Sequence, residues 1–331
     1  MDIKKDKNSR WYDVKLVPDK YKLAKEDRPQ NIDGQVCDSV PVIDLAKHRQ
    51  AVEAILMASQ EFGFFKVINH DVPIKTIVDA MNVLKEFHEM PSKEAIRGSH
   101  KKGWAHQDNS TKDGVYLWRE SLKHPCHPLE ECIKLWPPKP TKYSEVIQSY
   151  LQEIQKLSEN ILEMIAEGLG LEPEYIKDTS EVKLLASNFY PPCPDPSLTI
   201  GLPAHKDPSL ITILYQSDST GLQILKDGQW VNVGTTQNSF VVNIGNQLEI
   251  ISNGKLKSIE HRVLNSTKAR ISIAIHVNPS TNCLIEPAKV LVNESEPARY
   301  KASLYGEYVN SNNAFGDYTA ALYADSRISE S

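Results

Sequence analysis

The chain has 331 residues and a formal net charge of -5, with 40% hydrophobic and 24% charged residues. That size and apolar content allow a large buried core in one domain or two. The acidic balance argues against a nucleic-acid or anionic-membrane partner, and no apolar run approaches the roughly 18 residues of a transmembrane helix.

Neither the charged start (Met1 to Lys7) nor the end (Ile328 to Ser331) carries a secretory, lipidation or targeting signal, so a cytoplasmic, monomeric protein is expected. Cys37, Cys126, Cys132, Cys193 and Cys283 are scattered, with no C-x-x-C pair, which fits free thiols in a reducing compartment. His124, Cys126, His127 and Cys132 have poor spacing for a zinc site, and Pro125 and Pro128 interrupt them. They are read as a surface loop.

In chain order, residues 1–38 form a polar, irregular arm. Val40 to Leu45 is a β-branched run containing Pro41, which suits an edge strand. Ala51 to Phe62 has helical apolar spacing and stops at Gly63. Phe64 to His70 reads as a strand. Pro73 opens a helix with Ile77, Val78, Met81, Val83, Leu84 and Phe87 inward. Residues 92–113 read as a long polar loop, followed by a strand-like Val115 to Trp118. The longest helix runs from Ser144 to Leu169, with Gly168 and Gly170 at its end. Beyond residue 182 the period becomes two. Short strands are expected at 183–190, 198–205, 210–216, 221–225, 229–233, 239–243, 258–264, 269–277 and 283–287, a pattern of sandwich or barrel type. The expected divisions are an N-terminal region over 1–140, a bracing helix and linker over 141–182, a β core over 183–290, and a tail or lid over 291–331.

Within the β region His205 and Asp207 stand two apart, which in an extended strand puts them on one face, about 6–7 Å apart. A second His would complete a two-His-one-carboxylate set with open coordination positions, as in non-haem Fe(II) oxygenases, and His261 is the best candidate. Arg270 and Ser272 share a face by the same spacing and could grip the far carboxylate of a co-substrate.

These residues, taken in order, resemble the plant 2-oxoglutarate- and Fe(II)-dependent dioxygenases over nearly the whole chain. The likeness runs through Phe62-Gly63-Phe64-Phe65, Asn69 to Pro73, Trp118 to Leu122, Asn188 to Pro194, the His205/Asp207 pair, Gly221-Leu222-Gln223, Asn253-Gly254, His261-Arg262 and Arg270 to Ser272. Segments 61–91, 118–140 and 184–225 look most like the hyoscyamine 6β-hydroxylase-like enzymes. The resemblance implies a mainly β fold with flanking α, a double-stranded β-helix (jelly roll) core with an N-terminal helical region. It implies Fe(II) on His205, Asp207 and His261, and 2-oxoglutarate held by Arg270 and Ser272, with Asn188 and Tyr190 beside the iron. Oxygen is the second co-substrate and ascorbate the supporting reductant. The sequence departs from the family at Asp71, where Gly is usual, and at Lys206, where Thr is usual between the ligands.

The reaction expected is oxidation, chiefly hydroxylation, of a small plant specialised metabolite such as an alkaloid. Substrate contacts are expected from His276 and Asn278 on the Arg270 strand face. Tyr116, Trp118, Tyr305 and Phe315 are candidate aromatic walls, and Asp113 a candidate partner for a cationic amine. The rival readings are an iron oxidase that does not use 2-oxoglutarate, a catalytically silent jelly-roll binding protein, and a zinc hydrolase with the same ligands.

Overall fold

In the computed structural model, the described residues are 10–29, 36–37, 40–90, 105–107, 114–216 and 220–312. Asp113 and Phe315, and most of the expected loop at 92–113, lie outside them.

Two sheets face each other. The larger has eight strands: β2 (Val42–Asp44), β3 (Phe64–Ile68), β11 (Phe240–Ile244), β8 (Ile211–Gln216), β13 (Arg270–Pro279), β6 (Ser180–Tyr190), β5 (Glu120–Pro125) and β4 (Ala105–Gln107), in that spatial order. The smaller has five: β1 (Val36–Cys37), β10 (Gln229–Val233), β9 (Leu222–Lys226), β12 (His261–Val263) and β7 (Leu202–His205). A short pair, β14 (Leu284–Ile285) and β15 (Ser303–Leu304), lies apart. Every strand expected after residue 182 therefore has an observed counterpart, and Val42–Asp44 is the edge strand that Pro41 suggested. Strands from before residue 140 pair directly with jelly-roll strands, since β3 pairs with β11 and β5 with β6.

Alternation along β13 explains the layering. Ile273, Ile275 and Val277 are fully buried in one large cluster with α1 (His48–Glu61), α2 (Ile74–Glu89) and the 26-residue α3 (Tyr143–Gly168). Their neighbours Arg270, Ser272, Ala274 and His276 point the other way, between the sheets. The apolar face of the large sheet thus packs on helices, and its polar face lines the interior of the jelly roll. Phe64, Tyr190, Leu222, Ile224, Val241 and Val263 form a second, smaller core between the sheets.

Four expectations need correction. Val78 is 46% exposed, on the solvent side of α2. Val115 to Trp118 is not a strand; only Tyr116 makes a bridge there. The segment at 124–132 is no surface loop: His124 lies on β5, wholly buried, with Nε2 2.7 Å from the Tyr143 hydroxyl and its ring against Trp136. Cys126 and Cys132 are buried as well, and Cys126, Cys132, Cys193 and Cys283 are free thiols. Finally, period two does not persist through the β region: α4 (Asn246–Ile251) interrupts it, while α5 (Tyr305–Asn312) falls in the expected tail. Asp71 has φ of 60°, the left-handed region, where Asp is tolerated and Gly is easier.

Candidate active site

β7 and β12 are antiparallel partners in which His205 sits opposite His261. The pairing brings the two imidazoles together, tilted by 50° with centroids 4.2 Å apart. Asp207, just past the end of β7, lies beneath them, its Oδ1 3.6 Å from His205 Nε2 and 3.8 Å from His261 Nε2. One ligand atom from each of the three residues falls within 4.8 Å of the others. His205, Asp207 and His261 are thus brought together as the spacing anticipated.

The surrounding groups orient this triad. His205 Nδ1 is 2.9 Å from the Pro203 carbonyl and His261 Nδ1 is 3.2 Å from that of Ile259. Each imidazole therefore donates through Nδ1 and turns an unprotonated Nε2 to the centre, the tautomer a metal needs. Burial, then the neighbouring His261, pushes the His205 pKa down to about 3, so the ring is neutral. Asp207 Oδ2 accepts hydrogen bonds from Thr212 Oγ1 (2.6 Å) and Asn243 Nδ2 (2.9 Å), which leaves Oδ1 for the centre. Burial opposes its charge, but His261, His276 and His205 with the Thr212 hydrogen bond outweigh burial and hold the carboxyl well below its usual range.

The loop after Asp207 is seated on Gly245. The Asn246 amide donates to the Asp207 carbonyl at 2.8 Å, and a Cβ on Gly245 would stand 2.0 Å from the Ser209 carbonyl oxygen. Glycine is required by this close approach alone, because its φ of -95° is ordinary. Gly245→Ala is expected to cost about 1–3 kcal/mol in urea unfolding, from forced backbone movement, and to weaken metal binding through displacement of Asp207.

A cavity of about 330 Å³ opens beside the triad. Arg270 enters it from β13, 3% exposed, with Nη2 donating to Gln216 Oε1 at 2.7 Å and its guanidinium 4.9 Å from the Tyr190 ring centre. Its Nε and Nη1 are buried without a partner. A buried guanidinium with unmatched donors calls for an anion, and its planar N–H fork suits a carboxylate. Ser272, Asn188 and Tyr190 line the same cavity, as does His276, whose Nδ1 is 3.1 Å from Thr212 Oγ1.

Four other expected residues do not line it. Asn278 and Tyr305 are buried and bonded to each other, the Tyr305 hydroxyl donating to Asn278 Oδ1 at 3.0 Å. Trp118 is fully buried, donating from Nε1 to the Pro191 carbonyl at 3.2 Å and packed against Trp11 and Tyr21. Tyr116 meets Tyr21 and the Lys20 ammonium. Sequence reasoning missed Thr212 and Asn243, which hold Asp207, and the cavity cations Arg119 and Lys123, just before and on β5. For the cations the signal was present in the run Arg119, Ser121, Lys123, alternating with Glu120, Leu122 and His124. Lys206, exposed at the rim, also lines the cavity.

The facing sheets, the His-Asp-His triad and the unmatched Arg fork define a metal-dependent oxygenase that uses a dicarboxylate co-substrate. Comparison with known proteins agrees: the chain belongs to the 2OG-Fe(II) oxygenase superfamily, whose family model matches residues 182–279, while the model of the non-haem dioxygenase N-terminal region in morphine synthesis matches 40–139. Hyoscyamine 6-dioxygenase of Hyoscyamus niger is 37% identical, covering 91% of this chain and 93% of its own. Flavanone 3-dioxygenase 2 of Oryza sativa subsp. japonica is 38% identical, covering 88% and 89%. The crystal structure of JOX2 in complex with 2OG, Fe and JA superimposes with a TM-score of 0.80 and 31% identity over 90% of both chains. The protein is a 2-oxoglutarate-dependent dioxygenase with iron as its cofactor. Among the described residues, no helix is long and apolar enough to cross a membrane.

Proposed function

We propose that this dioxygenase hydroxylates a small plant specialised metabolite, using one 2-oxoglutarate and one oxygen molecule per turnover and releasing succinate and carbon dioxide. The observation that carries the reading is the Arg270 fork, buried and unmatched, in the same cavity as the triad. His205, Asp207 and His261 hold Fe(II) and leave other coordination positions open. Iron with 2-oxoglutarate and oxygen supplies the oxidising chemistry when bound.

The chain's own residues do the rest. Arg270 binds the far carboxylate of 2-oxoglutarate through paired N–H donors, and Ser272 adds a hydroxyl donor on the same face. Asn188 and Tyr190 frame the near end. Thr212 and Asn243 fix the Asp207 carboxylate, and the cavity's apolar walls, including Phe64, Leu202, Leu214 and Val263, limit water around the reacting atoms. The unmatched Arg270 donors favour this reading over an iron oxidase without 2-oxoglutarate, which would leave that buried cation without a counter-anion. An ammonium alkaloid is poorly matched by the described cavity, where Asp207 is the only carboxylate in the lining and already belongs to the triad.

The test is succinate release from 2-oxoglutarate by Fe(II)-loaded protein in oxygen, with and without fractionated plant metabolites, ascorbate being added to keep iron reduced. Succinate is expected in step with substrate oxidation. Protein shown to hold Fe(II) that never consumes 2-oxoglutarate with any fraction would overturn the reading.

A further inference from the structure

From the cations that line the cavity beyond Arg270, we infer that the substrate is a small apolar molecule carrying an anionic group, a carboxylate above all, which Lys123 and Arg119 receive. The inference rests on the dioxygenase reading above and concerns the other half of the same cavity.

Charge accounting makes the case. With iron and 2-oxoglutarate in place, two charges on the metal and one on Arg270 meet one on Asp207 and two on 2-oxoglutarate. The histidines add none. Besides Lys206 at the rim, Arg119, just before β5, and Lys123, on β5, remain, both in the cavity wall. Arg119 is 8% exposed; its Nη1 donates to Asn188 Oδ1 at 3.3 Å, and its Nε is buried without a partner. The Lys123 ammonium has no hydrogen-bond or ion-pair partner among the described residues. Its only favourable electrostatic neighbour is Asp207, while Arg119 repels it. Burial and Arg119 push the Lys123 pKa down to about 8. The adjacent Glu120 points to the other side of β5, where Oε1 accepts from Trp11 Nε1 at 2.7 Å.

Two cations held in a low-dielectric wall with no counter-ion are costly unless a ligand matches them. The same cavity also has apolar lining residues, among them Phe64, Leu202, Leu214, Leu222 and Val263, so the complementary ligand has a hydrophobic body and an acidic end. Such a ligand would be drawn in past Lys206 at the rim and oriented by its anion toward β5, leaving its apolar body beside the triad.

The test uses full-length protein loaded with Fe(II) and 2-oxoglutarate under anoxia, where binding proceeds without turnover. Benzoate, cinnamate and 3-phenylpropionate are titrated calorimetrically, each beside its methyl ester and the amine of the same skeleton. At least one acid is expected to bind tenfold or more tightly than its ester and amine. Lys123→Gln should lower that acid's affinity about tenfold and leave its ester within twofold, whereas Lys123→Arg keeps the preference for acid. A merely structural role would weaken acid and ester together. Esters or amines binding as well as acids, no acid binding below millimolar concentration, or an unchanged acid preference in Lys123→Gln would each overturn the inference. A 2-oxoglutarate titration on the same preparation separates the two readings. Failure to bind 2-oxoglutarate overturns the dioxygenase assignment of the cavity, while normal binding with indifference to acids overturns the substrate class alone.

Discussion

Replacing Arg270 with Ala is expected to raise the 2-oxoglutarate concentration for half-maximal turnover by ~30-fold to several thousand-fold. Truncating one partner of a buried, hydrogen-bonded charge pair costs about 2–5 kcal/mol, and each 1.4 kcal/mol or so is tenfold in affinity. Arg270→Lys should fall between, because an ammonium keeps the charge but not the planar fork. Removing the Ser272 hydroxyl should cost roughly 1–2 kcal/mol, about tenfold. A second measurement separates binding from folding. In the protein without co-substrate, Arg270 is a buried cation whose Nε and Nη1 have no partner. An apolar residue of similar length at such a site is often neutral or stabilising. Arg270→Met should therefore unfold at the same or a higher temperature while losing 2-oxoglutarate. If Arg270→Met instead melts well below the parent and binds 2-oxoglutarate normally, the residue is structural.

Asp207→Ala is expected to abolish stoichiometric Fe(II) binding and to lower succinate formation by about 1,000-fold or more. The residue is the only anionic member of the triad, and two neutral imidazoles alone hold a hard divalent ion weakly. The substitution also strands the Thr212 and Asn243 donors that now end on Oδ2, so a loss of about 1–3 kcal/mol in unfolding free energy accompanies it. Thr212→Val isolates the orienting role. All three triad residues remain, the Oδ2 hydrogen bond goes, and metal affinity should drop about 10–100-fold. Metal content by mass spectrometry and succinate yield, measured on the same samples, check both. Full Fe(II) occupancy in Asp207→Ala would remove this residue from the ligand set.

Arg270 and Ser272 were legible in the sequence because spacing two on a strand places side chains on one face whatever the fold around them, whereas Asp207 lies just past the end of β7 and His261 was reached as the missing third ligand of a recognised set. The strands after residue 182 were legible for a related reason: turn residues such as Asp227-Gly228 and Asn253-Gly254 separate short alternating runs. β5 was not. Arg119 and Lys123 face the cavity, while on the other face Leu122 joins the main core and His124 is buried against Tyr143 and Trp136 beside a charged Glu120, so neither face reads as hydrophobic and the alternation is masked. α4 has six residues and no apolar period long enough to register. The fates of Trp118, Tyr305 and Asn278 were equally hidden. An aromatic residue near a site in sequence has the same composition signal whether it lines a cavity or fills the core behind it.

The triad also spans a seam. His205 and His261 belong to paired strands of the smaller sheet, whereas Asp207 is anchored by Thr212 on β8 and Asn243 on β11, both in the larger sheet. An ion held by all three is a rivet between the two walls of the jelly roll. Escape of the ion and parting of the walls then become one event, so the lifetime of bound iron reports on the breathing of the barrel itself.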